Sequence, residues 1–371
     1  MFTTIKLFQP ETNHSPFLGF GWLSFFRLLI AGILLAFITM GCSKENETTP
    51  AEKPYSLALP AHFPEPVLNL ASAKLSENKF ILGKKLFYDG ILSLDGRINC
   101  GTCHISFGAF SNPDHPTSHG IYDQFGKRNA LPLQNLIWKK EYMWDGGISD
   151  LGLVAMAAIQ NPVEMDEKME NVVFKVNAKP EYKALFNKAY GSPDVTGLKL
   201  LDALSCFMVE LVSGKSRYDL YVTNQPGANF TSDEVQGLEL FREKCSRCHK
   251  EPFFTDNSFR NNGLDTVNRM DMGRYEITLR SVDRYKFRVP SLRNVTQTQP
   301  YMHNGEMRTL ERVLQHYAQN AKRNSSTDPG LVKKDGTVGI DLTADEQKKI
   351  IAFLGTLRDS DFIRNERFAE E

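Results

Sequence analysis

The chain lacks a surplus of charge: Lys and Arg total 44, and Asp and Glu also total 44. Nucleic acid is therefore not an expected partner, nor is an anionic surface held by charge alone. Strand signals are few, and no strand–helix–strand alternation stands out, which removes the setting that a thioredoxin-like dithiol needs. Cysteine is scarce, at six residues in 371. Against these shortages, an apolar content of 41% suits an ordinary globular core. The length suggests about two domains.

The few cysteines are not scattered. Two stand in Cys100-Gly-Thr-Cys103-His104 and two in Cys245-Ser-Arg-Cys248-His249. Cys-x-x-Cys-His is the attachment signature of c-type haem: two thiols become thioethers to the vinyl groups, and the adjacent His binds the iron. One turn of chain must set two sulfurs along one porphyrin edge and swing the imidazole beneath it. A zinc site would need both pairs to converge on one metal and would leave His104 and His249 unexplained. Two covalent haems are the reading. Cys206 lies in an apolar helical stretch and reads as a core thiol.

The first 41 residues differ from the rest. Lys6 and Arg27 flank an aromatic-rich opening, and Leu28 to Met40 is an uncharged apolar run ending at Gly41-Cys42. That pattern describes an export signal over 1–41. Cys42, followed by polar residues, resembles a bacterial lipoprotein site, which would place a lipid anchor at Cys42. The alternative is an uncleaved membrane anchor from Phe17 to Gly41. Either reading puts the protein in the periplasm or cell envelope. Residues 42–60 form a polar, Pro-containing tether.

The body then reads twice. Gly83-Lys-Lys-Leu86-Phe87 precedes the first haem motif, and Gly237-Leu-Glu-Leu240-Phe241 precedes the second. In small c-type cytochromes such a Gly lets the N-terminal helix cross closely over the C-terminal helix. Thr231 with Glu234, and Thr343 with Glu346, read as capping boxes. Closing helices are expected from roughly Leu198 to Tyr221 and from Leu342 to Leu357. The expected fold is mainly α, with cytochrome c-type domains at 61–225 and 226–371, each carrying one haem.

Further motifs stand between and around the haem sites: Arg128-Asn129-Ala130, Met143-Trp144-Asp145-Gly146-Gly147, Asn161-Pro162-Val163-Glu164-Met165, Val289-Pro-Ser-Leu-Arg-Asn294 and Pro300-Tyr-Met-His-Asn-Gly305. In order and spacing they resemble the bacterial di-haem cytochrome c peroxidases, including the MauG type, which oxidises a partner protein. The resemblance implies reduction of hydrogen peroxide with electrons from a small c-type cytochrome or cupredoxin. Trp144 takes the position of the Trp that passes electrons between haems, and an oxidisable flat indole suits that task. Glu164 matches the distal acid at the peroxide-binding haem, where a partly desolvated carboxyl moves a proton between oxygens. Val154 and Ala158 stand where the family usually has Gln and Pro, so the pocket should be roomier and more apolar.

The family's loop His ligand falls near Gly120 or Ile121, and neither can ligate. His119 or His115 would substitute as sixth ligand of the first iron; both also suit solvent-facing loop positions. The resemblance places calcium at Asn129, Thr298 and Pro300, and oxygen donors suit that ion. It places His303 beside the second haem as a packing and propionate contact. In Thr309 to Tyr317, residues Leu310, Val313, Leu314 and Tyr317 share one inward helical face, with His316 out of phase. Tyr317 holds the position where peroxidases carry an axial Met and the MauG type a Tyr, with Met302 and Met307 as nearby alternatives. A phenolate is a hard anionic ligand that lowers the iron potential relative to Met.

Overall fold

The computed structural model describes residues 55–264 and 271–370. The export signal, the lipoprotein site and most of the expected tether lie outside those residues. Among the described residues, no helix is long and apolar enough to cross a membrane. The longer helices are α1 (Glu77–Phe87), α2 (Leu151–Gln160), α3 (Met169–Asn177), α4 (Pro180–Tyr190), α5 (Gly197–Val209), α6 (Arg217–Val222), α7 (Ser232–Lys244), α8 (Leu310–Gln315) and α9 (Ala344–Gly355). A short antiparallel ribbon pairs β1 (Phe259–Arg260) with β2 (Phe287–Arg288), Phe259 opposite Arg288. The chain is mainly helical, as its sequence implied.

Capping explains where the helices start. The Ser76 hydroxyl accepts from Lys79 N and opens α1, while Thr231–Glu234 and Thr343–Glu346 form reciprocal capping boxes at α7 and α9. Helices α1 and α5 then cross at Gly83, where an added Cβ would meet Ala203 O at 1.9 Å. Helices α7 and α9 repeat the crossing at Gly237, against Lys349 O at 2.0 Å. In both places the missing side chain is what allows backbone to touch backbone.

Two apolar cores result. The first gathers Phe80, Leu82, Leu86, Phe87, Phe186 and Phe207 with their neighbours; the second gathers Leu238, Phe241, Phe254, Ile350, Phe353 and Leu354. Chain segments stitch them together. The C-terminal residues Phe362, Ile363 and Phe368 pack into the first core, and Leu57 and Leu59, at the end of the expected tether, lie against it. Between the cores, the fully buried Arg293 pairs with Asp219 through two contacts of 2.8 and 2.7 Å. Burial opposes ionisation of Asp219, but Arg293, Ser216 and His62 hold its carboxyl below the usual range. Removing one partner from such a pair costs about 3–5 kcal/mol, because the other charge is left buried alone.

One expected helix is two. The stretch from Leu198 to Tyr221 breaks between α5 and α6 because its backbone finds partners elsewhere. Ser213 N donates to Asn135 Oδ1 at 2.9 Å, and Lys215 N donates to Asp359 Oδ2 at 2.9 Å. Ser216 then caps α6 in a box with Asp219. The helix from Thr309 also changes character, since α8 passes into a single π turn, His316–Asn320.

Candidate haem-binding and catalytic site

The two Cys-x-x-Cys-His runs fold alike. At the first, Asn99 Oδ1 accepts from Thr102 N at 3.0 Å and opens the single turn Cys100–Cys103. That turn closes with His104 N donating to Cys100 O at 2.9 Å; at the second, His249 N donates to Cys245 O at 3.0 Å. His104 Nδ1 lies 2.7 Å from Phe110 O, and His249 Nδ1 lies 3.0 Å from Phe254 O. Each carbonyl makes Nδ1 the donor and leaves the Nε2 lone pair for a metal. Burial lowers both imidazole pKa values, so both rings are neutral, as ligation requires. The zinc alternative fails on position. Among the described residues, no three His, Cys, Asp or Glu side chains converge as a metal site. Two thiols and one oriented imidazole per site fit a c-type haem twice.

Beside His249 opens a cavity of about 220 Å³ with walls that include Phe241, Leu292, Leu314, Ile350 and Leu354. Its largely apolar walls suit a broad flat group. Cys245, Cys248 and Tyr317 line it too. Burial pushes the Tyr317 phenol up to about 12, although Asn262 works against that rise. The amide nitrogen of Asn262 sits 3.5 Å from the Tyr317 hydroxyl and 3.4 Å from Met302 Sδ, so both side chains border the same space. His316 is buried but faces away, with Nε2 3.0 Å from Asn262 O.

At the first motif the neighbours are different. The Ser118 hydroxyl donates to Glu164 Oε1 at 3.5 Å, and Ile121 N donates to Glu164 O at 2.8 Å. Burial raises the Glu164 pKa despite hydrogen bonds from Ser118 and Asn161. An acid held this way releases a proton nearer neutral pH than an exposed Glu does. Val154 and Ala158 both lie on α2. Gly120 is pressed against Glu164, and a Cβ there would meet its Cα at 2.5 Å, so no ligand can project from that position. His119 stacks on Phe125 at 4.5 Å, with its centroid 4.9 Å from that of His115 and its Nε2 3.3 Å from Asp123 Oδ1. The backbone carbonyl of His119 lies 3.7 Å from Cys103 Sγ.

Trp144 joins a buried cluster rather than standing alone. Its indole N–H donates to Asn129 O at 2.9 Å, and Asn129 N donates to His303 O at 2.7 Å. His303 stacks on Phe287 at 3.6 Å, and its ring centre lies 6.4 Å from that of Trp144. Asn129, Thr298 and Pro300 line the same cavity as Trp144 and His303. Three contributors escaped sequence reading: Arg288, Asn262 and Ser118. Arg288 directly precedes the motif that opens at Val289, and that was its only signal. The other two act through contacts that chain spacing does not reveal.

Two c-type motifs on a mainly helical frame, one beside a deep cavity and one beside a proton-holding carboxyl, define a di-haem redox protein. A family model described as di-haem cytochrome c peroxidase matches residues 77–226. The methylamine utilization protein MauG of Methylorubrum extorquens is 32% identical, covering 87% of this chain and 91% of its own length. The cytochrome c551 peroxidase of Nitrosomonas europaea is 33% identical over 74% of this chain and 78% of its own. A crystal structure of a MauG-like protein associated with microbial copper homeostasis superposes with a TM-score of 0.76 at 29% identity, covering 85% of this chain and 99% of that one. The chain belongs to the di-haem cytochrome c peroxidase family, and it is an oxidoreductase of the peroxidase type.

Proposed function

We infer that this is an exported di-haem peroxidase that reduces hydrogen peroxide to water with electrons from a small c-type cytochrome or cupredoxin. The supporting observation is Glu164, a half-buried carboxyl of raised pKa beside the first haem motif. Haem iron, when bound at His104, supplies the coordination site and the electrons that break the O–O bond. The chain supplies the rest. Glu164 takes a proton from the inner peroxide oxygen and delivers it to the outer one, with Ser118 orienting the carboxyl. Each peroxide takes two electrons and two protons and leaves as two waters. Cys245, Cys248 and His249 would hold the haem that takes up electrons, and Trp144 would pass them on. Residues 61–225 and 226–371 form the two haem-bearing halves, with His303 packed beside the second. Calcium at Asn129, Thr298 and Pro300 would stiffen the contact around Trp144, and His119 would be the residue to cover the first iron. The protein works in the periplasm or cell envelope, lipid-anchored at Cys42.

A second reading has its own support. Tyr317 borders the cavity into which His249 projects, as the MauG-type role requires. An iron held by His249 and Tyr317 suits oxidising equivalents that are stored and then drawn from a partner protein. Peroxide titration, followed by absorbance and electron paramagnetic resonance, separates the two. Fast turnover with a small donor supports the peroxidase. A long-lived two-electron-oxidised state with poor small-donor turnover supports the second reading. Two irons that bind neither peroxide nor cyanide would leave only a plain electron carrier.

A further inference from the structure

Three arginines line the cavity beside His249, and they differ in their partners. Arg260 meets Asp256 and Asp328, each at 2.7 Å, and Arg247 lies 3.4 Å from Asp328. Both lie toward the thiols, whose charge registers on Arg260. Arg288 has no such partner. Its Nε and Nη1 donate to the carbonyls of Met143 and Asn257 at 3.2 and 3.3 Å, and its Nη2 is buried without a hydrogen-bond acceptor. The residue is only 4% exposed.

The charged and titratable groups around it do not fill that role. Asp145 is held by Arg128, and Glu141 by Arg274 at 3.0 Å. Arg274 adds positive charge, burial lowers the Lys139 amine to about 7, and Tyr142 is a buried neutral phenol. Burial, with Arg274, lowers the Arg288 pKa to about 10. A buried guanidinium is stable only with an anion that accepts its free donor. The family's cofactor brings one: haem carries two propionates on the edge away from its vinyl groups.

We propose that Arg288 binds a propionate of the haem attached at Cys245 and Cys248. Arg260 and Arg288 come from the paired strands β1 and β2, and of the two only Arg260 is held by carboxylates. Arg288 N also donates to Trp144 O at 2.7 Å, which ties the anchor to the indole by one peptide contact. The proposal rests on the di-haem reading but not on which electron donor or substrate is used.

The test uses full-length protein carrying Arg288→Gln, with haem content read by mass spectrometry. Both haems should remain, because the thioethers hold them. The midpoint potential of the second haem should fall, since losing a nearby cation favours the oxidised iron. The propionate bending band in resonance Raman spectra should shift, and Arg288→Lys should restore the potential but not the band. Unchanged potential and band, with both haems attached, overturn the proposal. Should Arg288→Gln fail to assemble, Arg288→Lys decides, because a wild-type propionate band in that variant is equally fatal. A wild-type protein without haem mass would sink the di-haem reading instead.

Discussion

The two haem motifs share their near side and differ on their far side. Each has a one-turn Cys pair, a His whose Nδ1 meets a Phe carbonyl, and a Gly that lets two helices touch. These are attachment devices, and both halves need them equally. Around the first motif stand Glu164, Ser118 and a loop with His115 and His119, all polar side chains. Around the second stand Tyr317 and an apolar wall, with three arginines among the lining residues. One frame therefore presents two different surroundings, and the far-side residues separate them.

The comparison breaks most completely if attachment itself fails. Cys100→Ala and Cys248→Ala should each lose one covalent haem, whereas Cys206→Ala, in a buried helix, should lose none. Intact-mass measurement reads the result directly, and equal loss from all three variants would deny the motifs their role. Next comes the far side of the first motif. Glu164→Gln keeps the shape and removes the proton carrier, so peroxide turnover should drop about 10²–10⁴-fold, the range for general acid–base groups. Unchanged turnover with two haems present would mean that protons arrive by another route, such as water beside Val154 and Ala158.

The near side was legible in the sequence and the far side only in part. Cys-x-x-Cys-His, the Gly83 and Gly237 positions and the capping boxes are local patterns, and local geometry realises them. The break between α5 and α6 was not legible, because it depends on Asn135 and Asp359, which come from distant segments. The Asp219–Arg293 pair and the Asn262–Tyr317 contact escaped for the same reason: only the fold brings them together. Glu164 and Trp144 were singled out through family resemblance, and spacing alone would have singled out neither.

The far side of the second motif gives a smaller but sharper contrast. Tyr317→Phe removes the phenol oxygen, so the second haem should lose six-coordination and its potential should rise, while the first haem is unaffected. Paramagnetic resonance and potentiometry follow the two haems separately. A methionine–iron charge-transfer band in the near infrared of the oxidised wild-type protein would assign Met302 or Met307 instead, and the comparison would then rest on a different residue.

The smallest expected effect tests whether the near sides are as equivalent as they look. Gly83→Ala and Gly237→Ala each drive a methyl into a backbone carbonyl, since separations of 1.9 and 2.0 Å are far inside contact distance. Each should destabilise the protein by about 1–3 kcal/mol, the usual result of overpacking. Their spectroscopic consequences should differ. Helices α7 and α9 put Phe241, Ile350 and Leu354 directly on the cavity wall, so parting them moves that wall. Gly237→Ala should therefore shift the Soret band and the potential of the second haem. Gly83 lies in α1 against Ala203 and Phe207 in a closed apolar core, so Gly83→Ala should lower the melting temperature and leave the second haem's spectrum alone. Identical spectra in both variants would show that the helix crossing and the cavity wall are mechanically independent, and that the two halves share more than their attachment devices.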